Sequence, residues 1–305
     1  MWRIMNFDID VIIVNYNLKK DTVECINSLL TAGIDLKNII LVDNASTDDS
    51  VSYITKALGP DLVVINSPVN RGYPYGLNLG IKKSLEREKN WFLLMNNDTV
   101  VDKTFFYILS DIINNKLNPK EKVIGPAILY YDEPEKIWFI GDTILPGTLI
   151  TINKFRKKEY SETLPEILQV DFVHGCTMMV HREVIERIGF FDDTSLIYGD
   201  ELDFCMRAKQ ADYKIIALPK VKMWHKISTI MKKHSRKSRY LRIRNQIRFY
   251  KKYSKGLKRL VMVVFTFLRS GLILLNDIYR GNKELITPLI YGYFDGWNDK
   301  PERIF

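Results

Sequence analysis

The chain is poor in cysteine. Its three, Cys25, Cys176 and Cys205, lie far apart in 305 residues and form no CxxC pair. That excludes a disulfide-stapled scaffold and a cysteine-rich zinc module, and fits reduced thiols in a cytoplasmic protein. Long apolar runs are also scarce. The first ten residues, MWRIMNFDID, hold no extended apolar region, so no secretory signal is expected. Residues 260–275 are apolar except for Thr266, Arg269, Ser270 and Gly271, short of the ~20 residues that span a bilayer. No internal repeat or low-complexity segment occurs. One stretch has no acid at all: residues 220–259 carry sixteen Lys or Arg and neither Asp nor Glu. Since the whole chain has 45 basic and 36 acidic residues, everything outside that stretch is net acidic. So uneven a split directs the C-terminal part toward an anionic partner.

What is present suits a packed α/β protein. The composition is 46% hydrophobic and 27% charged, which favours a core over disorder. Apolar runs at 10–14, 38–42, 62–65 and 91–95 read as buried strands. Helical patterns at 19–30, 48–58 and 73–88 fall between them, with Ser46, Thr47 and Asp48 as candidate caps for the second. Strands alternating with helices imply a mostly parallel central sheet with helices on both faces. Residues 123–180 look strand-rich. Helices are expected near 181–188 and 200–211, then a strand at 214–218 and a basic helical extension beyond 220. The expected division is a catalytic domain over 1–228 and a C-terminal region over 229–305.

Ligands of such sheets bind beyond the carboxyl ends of the strands. Here each of the first four strands runs into polar residues: Asn15-Tyr16-Asn17, then Asp43-Asn44-Ala45-Ser46-Thr47-Asp48, then Asn66 to Gly72, then Asn96-Asn97-Asp98. One such cluster is ordinary turn chemistry. Four on one edge point to a binding site.

These blocks resemble glycosyltransferase family 2, the inverting nucleotide-sugar transferases of the GT-A fold, in its rhamnosyltransferase-like branch. The resemblance runs over about residues 8–228. It is carried by VIIVNYN (11–17), ILVDNASTDDS (40–50), NRGYPYGLNLG (70–80), LLMNNDTVVD (93–102), VDFVHGCTMMVHREVIERIGFFDD (170–193), YGDELDFCMRAKQADYKI (198–215) and WHKIS (224–228).

The resemblance implies a donor site made from Val14, Tyr16, Asp43, Asn70, Gly72, Asn78, Asn96 and Asn97, with Asp43 facing the base. A base also needs a stacking or edge partner, which Tyr16 would supply. His174 and Gly175 would line the sugar and acceptor, with Asp203 in support through an i, i+4 pair with Arg207. A divalent cation, Mn²⁺ or Mg²⁺, would neutralise the departing diphosphate. Its ligands would be Asp98 and His225. Where relatives carry an acid in the DxD motif this chain has Asn96, which leaves one carboxylate in that motif. The acceptor hydroxyl needs a base. Relatives commonly read Glu-Asp-x-Asp where this chain reads Asp200-Glu201-Leu202-Asp203, so Glu201 is the expected base and Asp200 the rival. The partners implied are a nucleotide-sugar donor, of the dTDP-rhamnose or UDP-sugar type, and a glycan or lipid-linked acceptor.

Apolar residues recur at 240, 243, 247, 250, 257, 261 and 264, opposite a face rich in Lys and Arg. That pattern reads as a peripheral anchor on the cytoplasmic face of an anionic membrane, or as packing against the catalytic domain or a second subunit in a homodimer. Nucleic-acid binding through the same charges is the competing class, but it leaves the strand-end motifs without a purpose. A non-catalytic scaffold that kept the fold is a third reading.

Overall fold

The structure is a computed structural model. It describes residues 8–194, 196–227, 235–300 and Arg303. Ser228, which ends both the WHKIS block and the expected catalytic domain, lies outside the described residues. The elements are, in order, β1 (Ile9–Asn15), α1 (Lys19–Thr31), β2 (Ile39–Asp43), α2 (Ser50–Leu58), β3 (Val63–Asn66), α3 (Tyr73–Glu86), β4 (Trp91–Asn96), β5 (Thr99–Val101), α4 (Phe105–Asn115), β6 (Glu121–Tyr130) and β7 (Ile137–Phe139). Then come β8 (Thr143–Ile144), β9 (Thr151–Ile152), β10 (Leu168–Val170), β11 (Thr177–His181), α5 (Arg182–Ile188), α6 (Asp200–Gln210), β12 (Lys214–His225), α7 (Arg236–Tyr253), α8 (Gly256–Tyr279) and α9 (Ile286–Trp297).

These residues divide into two compact units. The first takes the chain up to Thr143 with 153–196 and 200–227. The second takes 144–152, 197–199 and the chain from 235 onward. The first unit is built on one sheet in the order β10-β12-β6-β11-β4-β1-β2-β3, with β5 added to β12 and β7 to β6. Strands β4, β1, β2 and β3 are mutually parallel, as the strand–helix alternation requires. β11 runs antiparallel between β4 and β6. All seven residues of β1 and all five of β2 are buried, which explains their unbroken apolar runs.

Helix α3 lies close on this sheet because its contact face is glycine. A Cβ at Gly76 would come within 2.7 Å of Val14 Cγ1, and one at Gly80 within 2.3 Å of Ile12 Cγ2. Gly72, just before the helix, has φ +97° and faces the Leu196 backbone, so the turn requires glycine twice over. At α2 the cap differs from expectation. The helix begins at Ser50, and Asp48 accepts from Ser50 N at 3.1 Å, bonding inside the turn that precedes the helix.

In the second unit the apolar repeat from 240 to 264 is split. α7 ends at Tyr253 and α8 begins at Gly256. Tyr240, Ile243, Ile247 and Tyr250 are buried, whereas Leu257, Val261 and Val264 are exposed. The α7 stripe packs on α9, where Cβ atoms at Gly292 and Gly296 would collide with Tyr240 O and Ile247 Cβ. Packing on protein therefore accounts for the first half of the repeat and not the second.

Gly80→Ala should lower stability by about 1–3 kcal/mol, since Ile12 is itself fully buried and has no room to move. Urea unfolding would show a lower midpoint with an unchanged slope.

Candidate active site

Strand register aligns the polar strand ends. Asn15 pairs with Asp43, Asp43 with Asn66, and Val14 with Asn96. The expectation that they share one sheet edge is thus met in the ladder itself.

Asn15 ties this edge together. Its Nδ2 donates to Asp43 Oδ1 at 2.8 Å and to Ser46 Oγ at 3.0 Å. Its Oδ1 accepts from Thr22 Oγ1 at 2.8 Å and from Asn97 Nδ2 at 3.0 Å. Asn97 Nδ2 also donates to Thr22 Oγ1 at 2.9 Å. Asp43 Oδ2 accepts from Ser46 N at 2.9 Å. The backbone alongside is left-handed at Asn17, Leu18 and Ala45, a strain of the kind that gathers at functional sites. Tyr16 stands half-buried at the end of β1.

The NRGYPYGLNLG block is folded on itself. Asn70 Oδ1 accepts from Gly72 N at 3.0 Å and from Asn44 Nδ2 at 3.1 Å. Asn78 is a strut: its amide donates to Phe191 O at 2.9 Å and its Oδ1 accepts from Phe191 N at 3.0 Å. Asn78 and Asn97 therefore spend their amides on this chain, in positions where they shape the site's walls.

Asp98 and His225 meet. β5 and β12 pair antiparallel with His225 opposite Thr99, which sets the imidazole beside Asp98. His225 Nε2 lies 3.2 Å from Asp98 Oδ1. Both side chains are buried, and apart from this contact neither ring nitrogen of His225 makes a hydrogen bond to a described residue. A buried imidazole left so is costly, and two donor atoms at this spacing suit neighbouring ligands of one divalent ion. Among the described residues no three His, Cys, Asp or Glu side chains converge as a metal cage. Asp98 and His225 are thus the described residues that could hold a cation, whose remaining oxygens would come from elsewhere, as Mg²⁺-type sites take them from substrate phosphates. Asn96 is half-buried, and its backbone N donates to Cys176 O at 2.9 Å.

The acidic cluster opens α6. Asp200 is buried, and burial, then the neighbouring Glu201, pushes its carboxyl well above the ordinary range. Glu201 is half-buried against Gly175, where a Cβ would stand 3.2 Å from Glu201 Cβ. Glycine there leaves the carboxylate room. Asp203 pairs with Arg207 at 2.8 Å, and Arg207 also donates to Ile188 O and Phe190 O. The two acidic centres converge around Cys176, whose thiol is raised by burial and then by the charges of Asp98 and Glu201. Tyr73 is likewise raised, by burial first, and donates to Gly175 O at 2.9 Å.

Sequence reasoning passed over Trp138. Its ring centroid lies 4.6 Å from that of His174 and 4.9 Å from that of His225. His174 Nδ1 accepts from Cys176 N at 3.1 Å. One tryptophan has no spacing to betray it. Only the β6–β7 pairing, Ile128 with Phe139 and Leu129 with Ile137, places it here.

The half-parallel sheet, with the Asp43 carboxylate, an acid–imidazole pair and a separate carboxyl cluster at its edge, has the GT-A fold of glycosyltransferases. The profile of "Glycosyl transferase family 2" matches residues 10–189. The chain belongs to that family and carries out glycosyl transfer from a nucleotide sugar in glycan biosynthesis. It is 27% identical over 97% of its length to Agl10 of Haloferax volcanii, a low-salt glycan biosynthesis hexosyltransferase, covering 94% of that protein. It is 25% identical over 93% of its length to the dTDP-rhamnosyl transferase RfbF of Shigella flexneri, covering 95% of it. Among solved structures, the mannosyltransferase PcManGT from Pyrobaculum calidifontis, in complex with GDP-Man and Mn²⁺, superposes with a TM-score of 0.59 at 15% identity. The match covers 98% of this chain and 91% of that one. GalNAc-T7 with UDP, GalNAc and Mn²⁺ gives 0.60 at 15% identity, over 80% of this chain and 47% of that one.

Asp200 supplies a test of the cluster. Its folded-state pKa lies above its unfolded value near 3.8. The native state therefore holds the extra proton, and its stability falls as pH rises from about 4 through the raised pKa. Asp200→Asn should remove that fall. The melting temperature of the variant relative to wild type should climb between pH 4 and pH 8.

Proposed function

We propose that this chain is an inverting, metal-dependent hexosyltransferase working at the cytoplasmic face of a membrane. The donor is a dTDP-rhamnose or UDP-sugar type, and the acceptor is a hydroxyl of a glycan or lipid-linked saccharide. The observation that carries the proposal is the buried Asp98–His225 pair, at the sheet edge that also bears Asp43. The relatives named as a hexosyltransferase and a dTDP-rhamnosyl transferase support the donor class. The two neighbours solved with Mn²⁺ support a divalent ion.

In this reading Asp43 and Tyr16 receive the nucleoside, while the turn over Asn70 and Gly72 borders the donor. Asp98 and His225 would hold Mn²⁺ or Mg²⁺, which when bound would supply Lewis-acid stabilisation of the charge left on the departing nucleoside diphosphate. Glu201 accepts the acceptor's hydroxyl proton as that oxygen attacks the anomeric carbon. A single displacement inverts the configuration. Burial, then the charge of Glu201, holds the Asp200 carboxyl well above the ordinary range, which makes it the weaker candidate for the base. His174, Gly175 and the Trp138 ring border the sugar.

Nucleic-acid binding has less support than it had in sequence. Of the four aromatic residues interleaved with the α7 charges, Tyr240, Phe249 and Tyr250 are buried and offer no face for stacking, and Tyr253 is half-buried.

Glu201→Gln should lower transfer by about 10²–10⁴-fold while the melting temperature is kept. Turnover near wild type in that variant would sink the base assignment. Asp98→Ala and His225→Ala should each weaken Mn²⁺ binding in an electron paramagnetic resonance titration. Donor hydrolysis stimulated by Mn²⁺ would separate an enzyme from a scaffold. A thermal-shift screen of nucleotide sugars would identify the donor by the stabilisation it confers.

A further inference from the structure

The C-terminal unit carries an apolar surface that the transfer chemistry does not use. α8 has 24 residues, about 36 Å at 1.5 Å per residue. Leu260, Val264, Phe267, Leu268, Leu272 and Leu275 are each between 49% and 69% exposed. Their spacing of three and four residues, with near neighbours, draws one stripe along the helix. The other side is committed to protein. Met262, Thr266 and Asp277 are buried, Asp277 pairs with Arg239 of α7 at 3.2 Å, and Arg269 reaches Gln246 of α7. So large an exposed patch marks an interaction surface.

Three occupants are possible, and charge chooses among them. α8 is long and apolar enough to cross a bilayer, with a mean hydropathy of 1.7 over its best window. Crossing, however, would draw its packing partner α7 toward the hydrocarbon. α7 carries Arg236, Lys237, Arg239, Arg242, Arg244, Arg248, Lys251 and Lys252 and no acid, a cost that bars it. A second copy is disfavoured for a related reason. The stripe is flanked by Lys255, Lys258 and Arg259 at one end and by Arg280, Lys283 and the exposed acid Glu284 at the other. No Asp or Glu occurs from Lys220 to Asn276, and Asp277 is 1% exposed. A self-complementary dimer would set two net-basic rims against each other, whichever way the helices run. An anionic lipid surface meets both features at once. Tyr279, 91% exposed at the end of α8, has the amphipathic ring found at headgroup level.

We propose that α8 lies in the plane of an anionic bilayer, its 260–275 stripe in the acyl boundary and its flanking Lys and Arg on the headgroups. It is an in-plane anchor, neither a spanning segment nor a dimer seam. This sharpens the peripheral location of the proposed function, and its test reads binding alone, so it stands or falls independently of the chemistry at Glu201.

The test is flotation of the full chain with vesicles of phosphatidylcholine, with and without phosphatidylglycerol. The protein should float with the anionic vesicles, release at high salt and in alkaline carbonate, and stay behind with phosphatidylcholine alone. Leu268→Glu combined with Leu272→Glu should lower partitioning by about tenfold or more, with the melting temperature kept because both positions are exposed. Lys255→Glu combined with Lys258→Glu, which leaves the stripe intact, should lose the preference for phosphatidylglycerol. That second variant keeps the test decisive should the first misfold. Carbonate-resistant binding would overturn the in-plane arrangement, and equal binding to both vesicles the role of charge. A wild type that ignores vesicles but is a dimer in light scattering, broken by the leucine substitutions, would overturn the proposal outright.

Discussion

The carboxyl edge of the sheet depends on one buried amide. Asn15 is 0% exposed and has both ends in use, one toward Asp43 and Ser46, the other toward Thr22 and Asn97. It binds the end of β1 to the loop after β2, to the first turn of α1 and to the loop after β4. A buried polar group that loses a partner costs about 1–3 kcal/mol, so the four segments hold one another in place. The loop from Asn96 to Asp98 gains its shape from this network. Asn97 is drawn inward, and Asp98, one residue on, meets His225.

That arrangement bears on the missing acid of the metal motif. With Asn96 in place of a carboxylate, the loop contributes one anionic oxygen, and a single oxygen is a poor anchor for a divalent ion. β12 brings a second candidate ligand. It runs to His225, seven residues past the stretch legible as a strand, and its pairing with β5 delivers the imidazole to Asp98. In the proposed reading, two protein ligands would leave the rest of a cation's coordination to the donor's diphosphate, and cation and donor would then each raise the affinity of the other.

Much of this was readable because the signals were local. Unbroken apolar runs followed by Asn and Asp mark buried strands and their ends, and β1 to β4 fall within one or two residues of where periodicity places them. What escaped was set by contacts distant in sequence. α4 lies where no helix was anticipated, though Phe105, Phe106, Leu109 and Ile112 are spaced for one. Trp138 belongs to the site only through the β6–β7 pairing. Asn97 and Asn78 stand at positions that match a donor-site motif, and the hydrogen bonds that hold them, to Asn15 and Thr22 and to the Phe191 backbone, are ones no spacing reveals.

The C-terminal repeat shows the same limit from the other direction. An apolar stripe at helical spacing says that a face is to be covered, not by what. Across Ser254 the spacing continues while the physics changes. Before it, Tyr240, Ile243 and Ile247 find glycine-faced α9 and are buried. After it, α8 packs on α7 through Ile273, Leu274 and polar contacts on one side, and among the described residues nothing apolar covers Phe267, Leu268 and Leu272. Leaving about half of such a helix bare in water forfeits roughly 25 cal/mol for each Å² of apolar surface. A glycosyltransferase that kept so costly a face has a use for it, and the absence of acids from Lys220 to Asn276 is the one feature of the sequence that limits what that use can be.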